Sequence, residues 1–325
     1  MSAEEVMAYV AAELEEVNSL MGKELASDIG LLNETNGKLL FNKGKQIRPV
    51  LTILVAKACG EVNADSLHYA AAAELLHNAT LLHDDVADNS PSRRGSPTVM
   101  ALLGGRASVL LGDYWLVKAM DQIFAATTSS TEVTRGFSRT LSLLAEGEIL
   151  QLEKADSGDT TEEEYYRIIF SKTASLFMTA AEAAALSVGA SEELLEAAKE
   201  YGRAVGLAFQ IKDDILDYDG SEKLGKPLGQ DLREAKITLP LLGALSHVSQ
   251  EEAARVRQAV TRAPKNPESI GGLVQFVRSH GGVEYSEAAL AEHKGKALKA
   301  LEKFPEGFYR ECLEAMAEYV VDRER

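Results

Sequence analysis

Residues 65–88 read DSLHYAAAAELLHNATLLHDDVAD. The run holds no proline or glycine, and alanine and leucine, both strong helix formers, fill its middle. It predicts one unbroken helix. That helix ends on Asp84, Asp85 and Asp88, and the polar stretch NSPSRRGSP (89–97) behind it reads as a loop. The same Asp-Asp-x-x-Asp spacing returns in FQIKDDILDY (209–218), at Asp213, Asp214 and Asp217, again behind an apolar run.

The rest of the chain repeats the helical pattern. Further helices are expected over 3–22, 26–40, 49–59, 106–126, 131–153, 161–187, 191–219, 238–247, 250–263, 267–280, 283–302 and 307–323. No proline lies between Thr98 and Lys226, so long helices can run there without a break. Pro49 suits the first turn of its helix, behind the glycine-containing loop FNKGKQ (41–46). Few segments show the Val/Ile/Thr alternation of strands. Linkers are short and the composition does not shift along the chain, so residues 1–325 are expected to form a single all-α domain, one large helical bundle.

Composition sets the outer limits. A hydrophobic share of 46% supplies a substantial core and argues against disorder. The net charge of −16 argues against a nucleic-acid surface, which needs a basic face. It leaves room for a small anionic ligand, because local Lys/Arg clusters decide that. Cys59 and Cys312 lie far apart without metal spacing, as suits a reducing cytoplasm. The N-terminal MSAEEVMAYVAAELEEVN is acidic and amphipathic, unlike a signal peptide, and no apolar run reaches the about 18 residues of a membrane span. The expectation is a soluble, cytoplasmic protein.

On a helix, residues four apart share a face. Asp84 therefore pairs with Asp88 and Asp213 with Asp217, each pair about 6 Å apart in rise. Paired carboxylates can hold hard cations and leave coordination sites open. Asp85 and Asp214 point about 100° away, toward supporting contacts. An acidic run is ordinarily a solvated helix face. Two such runs, each closing an apolar stretch, fit that poorly, because their repulsion needs a counter-ion. Oxygen ligands without histidine at metal spacing select Mg2+ or Mn2+ over zinc. A carboxylate-bridged iron site would want two Glu-x-x-His motifs, and only Glu74-Leu-Leu-His77 is present.

Magnesium held in this way completes its shell with phosphate oxygens, which calls for nearby cations. Lys45 and Arg48 follow Gly44, Arg93 and Arg94 follow the first aspartate motif, and Lys172, Lys226 and Lys236 lie downstream. Arginine grips phosphate with a bidentate fork and lysine acts as a point charge. Singly, each is an ordinary surface residue. Lys172 stands apart because it lies inside the apolar run IIFSKTASLF (168–177). His77 is two turns before Asp84 on the same face, and a satisfied core histidine is its plainer reading.

Taken in order, these residues resemble the trans-isoprenyl diphosphate synthases, the polyprenyl synthetase family. The likeness runs from Lys43 to Pro240 through GKQIRP (44–49), LLHDDVADNSPSRRG (81–95), GDYW (112–115), GEILQLE (147–153), KTASLF (172–177), FQIKDDILD (209–217) and GKPLGQDLREAKITLP (225–240). One departure is visible: the family's Gly-Gly-Lys-Arg loop reads Lys43-Gly44-Lys45-Gln46 here. The resemblance implies an isoprenoid synthase bundle with a central apolar cavity, and a homodimer. It implies two to three Mg2+ ions bridged by diphosphate, with Mn2+ as a substitute. Asp84, Asp88 and Asp213 would be the direct ligands, with Asp85, Asp214 and Asp217 in support. Arg93, Lys172 and Lys226 would hold the allylic diphosphate, with Lys236 assisting. Lys45, Arg48, His77 and Arg94 would hold isopentenyl diphosphate, and Gln210 and Thr173 would position the allylic end.

The implied reaction is elongation of an allylic diphosphate by isopentenyl diphosphate to an all-trans polyprenyl diphosphate. Family members that stop at short products carry bulky aromatics at the positions of Ala79 and Thr80. Both are small here, as is AAAAE (70–74) before them, so a product beyond fifteen carbons is expected, in the long-chain range. Alanines that only let helices pack closely are the plainer alternative. A farnesyl or geranylgeranyl diphosphate synthase is the shorter-product reading. A helical terpene cyclase usually lacks the second aspartate motif and the Lys45/Arg48 pair. A non-catalytic subunit of a heteromeric synthase fits poorly with two complete motifs.

Overall fold

The computed structural model describes residues 1–41, 44–93, 95–127, 131–219 and 228–323. Its helices are α1 (Ala3–Tyr9), α2 (Ala11–Glu24), α3 (Gly30–Phe41), α4 (Ile47–Cys59), α5 (Ala64–Ala87), α6 (Val99–Leu103), α7 (Gly105–Ala125), α8 (Thr131–Ser157) and α9 (Glu162–Ile169). After a π-helical turn at Phe170–Ala174 come α10 (Ser175–Ser187), α11 (Glu192–Asp219), α12 (Gln230–Arg233), α13 (Leu239–Leu245), α14 (Gln250–Arg262), α15 (Ile270–Ser279), α16 (Gly282–Leu301) and α17 (Phe308–Asp322). Among the described residues the strands are β1 (Ser92–Arg93) and β2 (Ser96–Pro97), an antiparallel pair. The fold is all-α.

The chain divides into two compact units. The first comprises Met1–Ser138, Thr179–Lys199 and Leu301–Met316. Its centre is α5. Asn63 caps α5 with its side chain, Ser66 returns the bond to the Asn63 backbone, and Asn63 Nδ2 donates to the Ser187 carbonyl at 2.7 Å. This reciprocal cap satisfies N–H groups that a helix start leaves open. From Leu67 to Leu76 only His68 is not buried, so α5 is apolar nearly all round, as an interior helix is. It packs against α2, α4 and α7. Trp115 of α7 is buried and donates its indole N–H to Asn36 at 2.8 Å.

The second unit comprises Arg139–Met178, Glu200–Ala300 and Ala317–Arg325. Two glycines bring its helices against the π-helical turn. A Cβ on Gly206 of α11 would lie 2.5 Å from Ala174 Cα, and one on Gly147 of α8 would lie 2.7 Å from Ser171 Cβ. No other residue permits either approach without a shift.

The structure departs from the sequence reading at short or irregular pieces. The helix expected over 3–22 is two, because Val10 leaves helical geometry at φ −116°, ψ 13°. The helix expected over 161–187 is interrupted by the π-helical turn, which falls on Lys172 and Thr173. The loop expected over 89–97 contains the β1–β2 hairpin. Helices α6 and α12 were not expected. At 5 and 4 residues they are too short for an apolar period to register.

Candidate active site

The first aspartate motif lies at the C-terminal end of α5, where helix dipoles already leave partial negative charge. Asp84 and Asp88 are half-buried, and Asp88 closes the helix by donating its N–H to the Asp84 carbonyl at 2.8 Å. Asp85 is buried. Past the helix, Asn89 adopts a left-handed conformation at φ 50° and the chain doubles back through the hairpin, with Gly95 at φ 76° in its turn. The doubling back lays Arg93 on Asp85, its Nε donating to Oδ1 at 2.8 Å. Adjacent in sequence, Arg94 lies outside the described residues.

Upstream, Lys45 is exposed and Arg48 is buried in the first turn of α4. Between them, Gln46 departs from the family pattern and takes a left-handed conformation at φ 49° ahead of α4. Its side chain is buried, and its Nε2 donates to Asn18 Oδ1 at 2.9 Å. An amide pair to α2 therefore occupies the departing residue. His77 is half-buried and its carbonyl accepts from Thr80 Oγ1 at 2.7 Å. Ala79 is fully buried and Thr80 half-buried.

The second motif lies near the C-terminal end of α11, and its three carboxylates do three different things. Asp214 is buried, accepting from Tyr165 Oη at 2.6 Å and from Gln210 Nε2 at 2.9 Å. Gln210 Oε1 in turn accepts from Thr173 Oγ1 at 2.9 Å. Burial pushes the Asp214 carboxyl up to about 7 against the pull of these two donors, and the charges of Asp213 and Asp217 add to the rise. Burial likewise pushes the Tyr165 phenol well above its ordinary value. Asp217 is half-buried and caps α12, its oxygens accepting from Gln230 N at 2.9 Å and Asp231 N at 3.0 Å. Asp213 is half-buried, and its Oδ1 accepts from Arg323 Nη2 at 2.8 Å.

Lys172 and Thr173 sit on the π-helical turn, a wider coil than the α-helices on either side, and such turns recur at functional sites. Lys172 Nζ pairs with Glu148. Lys236 Nζ pairs with Glu234, just after Ala235, which is left-handed at φ 55°. Lys226 lies outside the described residues. The structure thus joins Asp85 to Arg93, and Thr173 through Gln210 to Asp214. It adds Tyr165, Glu148 and Arg323, which the sequence reading did not single out. Glu148 stood inside a quoted motif. Tyr165 and Arg323 carry no spacing that could have marked them.

Among the described residues no three Asp, Glu, His or Cys side chains converge as a cage for a metal. The two helix ends instead offer pairs of carboxylate oxygens at partly exposed positions. Taken by itself, each pair fits a magnesium ion that takes its remaining ligands from water and a diphosphate.

Comparison with known proteins gives a consistent result. The polyprenyl synthetase family profile matches residues 30–277. The chain is 37% identical to the octaprenyl diphosphate synthase of Escherichia coli (strain K12), covering 100% of both chains. It is 35% identical to an all-trans-nonaprenyl-diphosphate synthase (geranyl-diphosphate specific) of Rhodobacter capsulatus, covering 98% of both. Among solved structures, a polyprenyl synthase from Caulobacter crescentus CB15, complexed with calcium and isoprenyl diphosphate, matches with a TM-score of 0.91 at 35% identity over 100% of this chain and 98% of that one. A decaprenyl diphosphate synthase from Rhodobacter capsulatus matches with a TM-score of 0.92 at 35% identity over 99% of both.

Proposed function

The chain belongs to the polyprenyl synthetase family, and from that premise we propose how its side chains divide the work of a chain-elongating trans-prenyltransferase. The substrates are isopentenyl diphosphate and an allylic diphosphate, and the product is an all-trans polyprenyl diphosphate longer than fifteen carbons, in the class of the octaprenyl and nonaprenyl relatives. One observation carries the assignment of roles: in each motif the second aspartate is buried and bonded to protein, while its neighbours on the carboxylate pair stay half-buried.

Asp84, Asp88 and Asp213 are the residues that would hold Mg2+. Calcium and isoprenyl diphosphate in the Caulobacter relative support a divalent ion shared with a diphosphate. When bound, the ion supplies charge stabilisation to the departing pyrophosphate. Asp85 orients Arg93 toward the allylic diphosphate, and Lys172, Lys226 and Lys236 add positive charge there. As the allylic C–O bond breaks, the bonding pair leaves with pyrophosphate and a carbocation remains. Thr173 and Gln210, fixed to each other and to Asp214, position its allylic end. The isopentenyl double bond, presented by Lys45, Arg48, His77 and Arg94, forms the new C–C bond. A proton then leaves to the released pyrophosphate. Charge and position perform this chemistry without a covalent protein intermediate.

A homodimer belongs to the same proposal. Leu110, Val117 and Phe124 of α7 are all exposed and recur every seven residues, a spacing that keeps them on one helix face. A second copy of this chain is the partner that covers them. No helix among the described residues is long and apolar enough to cross a membrane. A cytoplasmic setting is proposed with the rest, since both substrates are water-soluble diphosphates.

Chelation and mutation test the metal assignment together. Excess EDTA is expected to abolish turnover, and Asp84→Ala or Asp213→Ala to lower kcat by orders of magnitude with the fold intact. Full activity in EDTA contradicts the assignment.

A further inference from the structure

Arg323 is the residue that follows α17, its N–H bonded to the Tyr319 carbonyl at 3.0 Å. It is one of the few buried cations of the described residues, 8% exposed. Nη2 donates to Asp213 Oδ1 at 2.8 Å and to the Phe209 carbonyl at 2.7 Å, and the guanidinium carbon lies 3.9 Å from the Phe209 ring centroid. Its Nε finds no hydrogen-bond partner among the described residues. A guanidinium carries five donors, and among the described residues this one meets one counter-ion, one carbonyl and one aromatic face. That counter-ion is the carboxylate assigned above to the divalent ion, and the inference rests on that assignment.

We propose that Arg323 is a placeholder cation that neutralises Asp213 in the metal-free protein and competes with the divalent ion for it. The reason is electrostatic. Asp213, Asp214 and Asp217 crowd one end of α11, and Asp231 follows directly at α12, capped by Asp217. Without a metal, this cluster repels itself. Among the described residues, Arg323 is the cation in hydrogen-bond contact with Asp213. A divalent ion arriving on the same carboxylate meets a like charge a few ångströms away, so one must give way. Arg323 can do so at small cost, because it sits at a helix end, where terminal turns open with little free energy. The C-terminal end of α17 therefore reports, through one side chain, whether Asp213 carries a metal.

Titrating Mn2+ alone into the free full-length enzyme, followed by electron paramagnetic resonance, tests the competition. Arg323→Gln is expected to bind the ion on the order of tenfold more tightly than the wild type, with Arg323→Lys in between. In an Asp213→Asn background, Arg323→Gln is expected to change nothing, since the coupling runs through that pair. Equal or weaker Mn2+ binding in Arg323→Gln overturns the proposal, as does an effect that survives Asp213→Asn or an absence of binding in both proteins. Prenyl transfer by the same preparations, assayed separately, distinguishes a failure of this competition from a failure of the functional reading.

Discussion

Asp85 and Asp214 hold the second place in their motifs, and each spends its charge on protein rather than on solvent. For Asp85 the beneficiary is Arg93, half-buried and held at 2.8 Å. Asp85→Asn keeps the volume and loses the charge. It is expected to raise the KM for the allylic diphosphate about tenfold or more while leaving the KM for isopentenyl diphosphate nearly unchanged, since a charge-assisted bond contributes ~1.5–3 kcal/mol. Steady-state kinetics with each substrate varied against a saturating partner checks this. The same experiment separates the two diphosphates: Arg48→Ala is expected to weaken isopentenyl diphosphate, and Lys226→Ala the allylic substrate. Equal effects of both substitutions on both substrates would mean the two pockets are misassigned. At this scale the pairing of the aspartates on one helix face was legible, because helical spacing fixes which side chains share a face. Tyr165 and Arg323 were not. They reach Asp214 and Asp213 from positions 49 and 110 residues away, through packing that no local period records.

Among the elements, the π-helical turn is the piece on which two assigned residues depend, and Gly206 is what lets α11 lie against it. Gly206→Ala would put a Cβ 2.5 Å from Ala174 Cα. The expected cost is ~1–3 kcal/mol of stability, and kcat should fall because Lys172 and Thr173 must shift. Thermal unfolding and kinetics on one preparation decide whether both effects occur together. The long apolar helices were readable from composition and the absence of proline, whereas the π-helical turn was not, since one extra residue in a coil leaves no mark on an apolar run. On α5, Ala79 is fully buried five residues before Asp84. Ala79→Phe is expected to shorten the product while the first condensation survives, and Thr80→Phe gives a second variant at a half-buried site. Chromatography of the extracted prenyl chains reads the outcome, and an unchanged length distribution in both variants removes these residues from the ruler.

For the molecule as a whole, stability should depend on pH through buried groups of opposite sense. His293 of α16 is buried and its pKa is pushed down to about 4, chiefly by burial. Its folded value lies below the unfolded one near 6.5, so the unfolded chain takes up the proton first. The stability that goes with neutral His293 is therefore complete above about 6.5 and is lost as pH falls toward 4, by up to ~3 kcal/mol. Asp214 works the other way in the metal-free protein. Its carboxyl is raised to about 7, so its contribution is present at low pH and declines as pH rises through that value. Unfolding of His293→Phe alongside wild type isolates the histidine: the midpoint of wild type should rise relative to that of the variant as pH goes from 4 to 7, and a constant difference would refute the buried-neutral assignment. The proposed dimer is tested by Val117→Asp, which places charge in the middle of the apolar α7 stripe and is expected to leave a monomer in sedimentation.

Chain elongation itself is tested by supplying labelled isopentenyl diphosphate and an allylic primer with Mg2+ and following label into lipid-extractable prenyl chains. Multiple five-carbon additions, dependent on the metal and lost in Asp84→Ala and Asp213→Ala, are the expected result. Label that stays water-soluble, or a cyclised hydrocarbon formed from the primer alone, would contradict it.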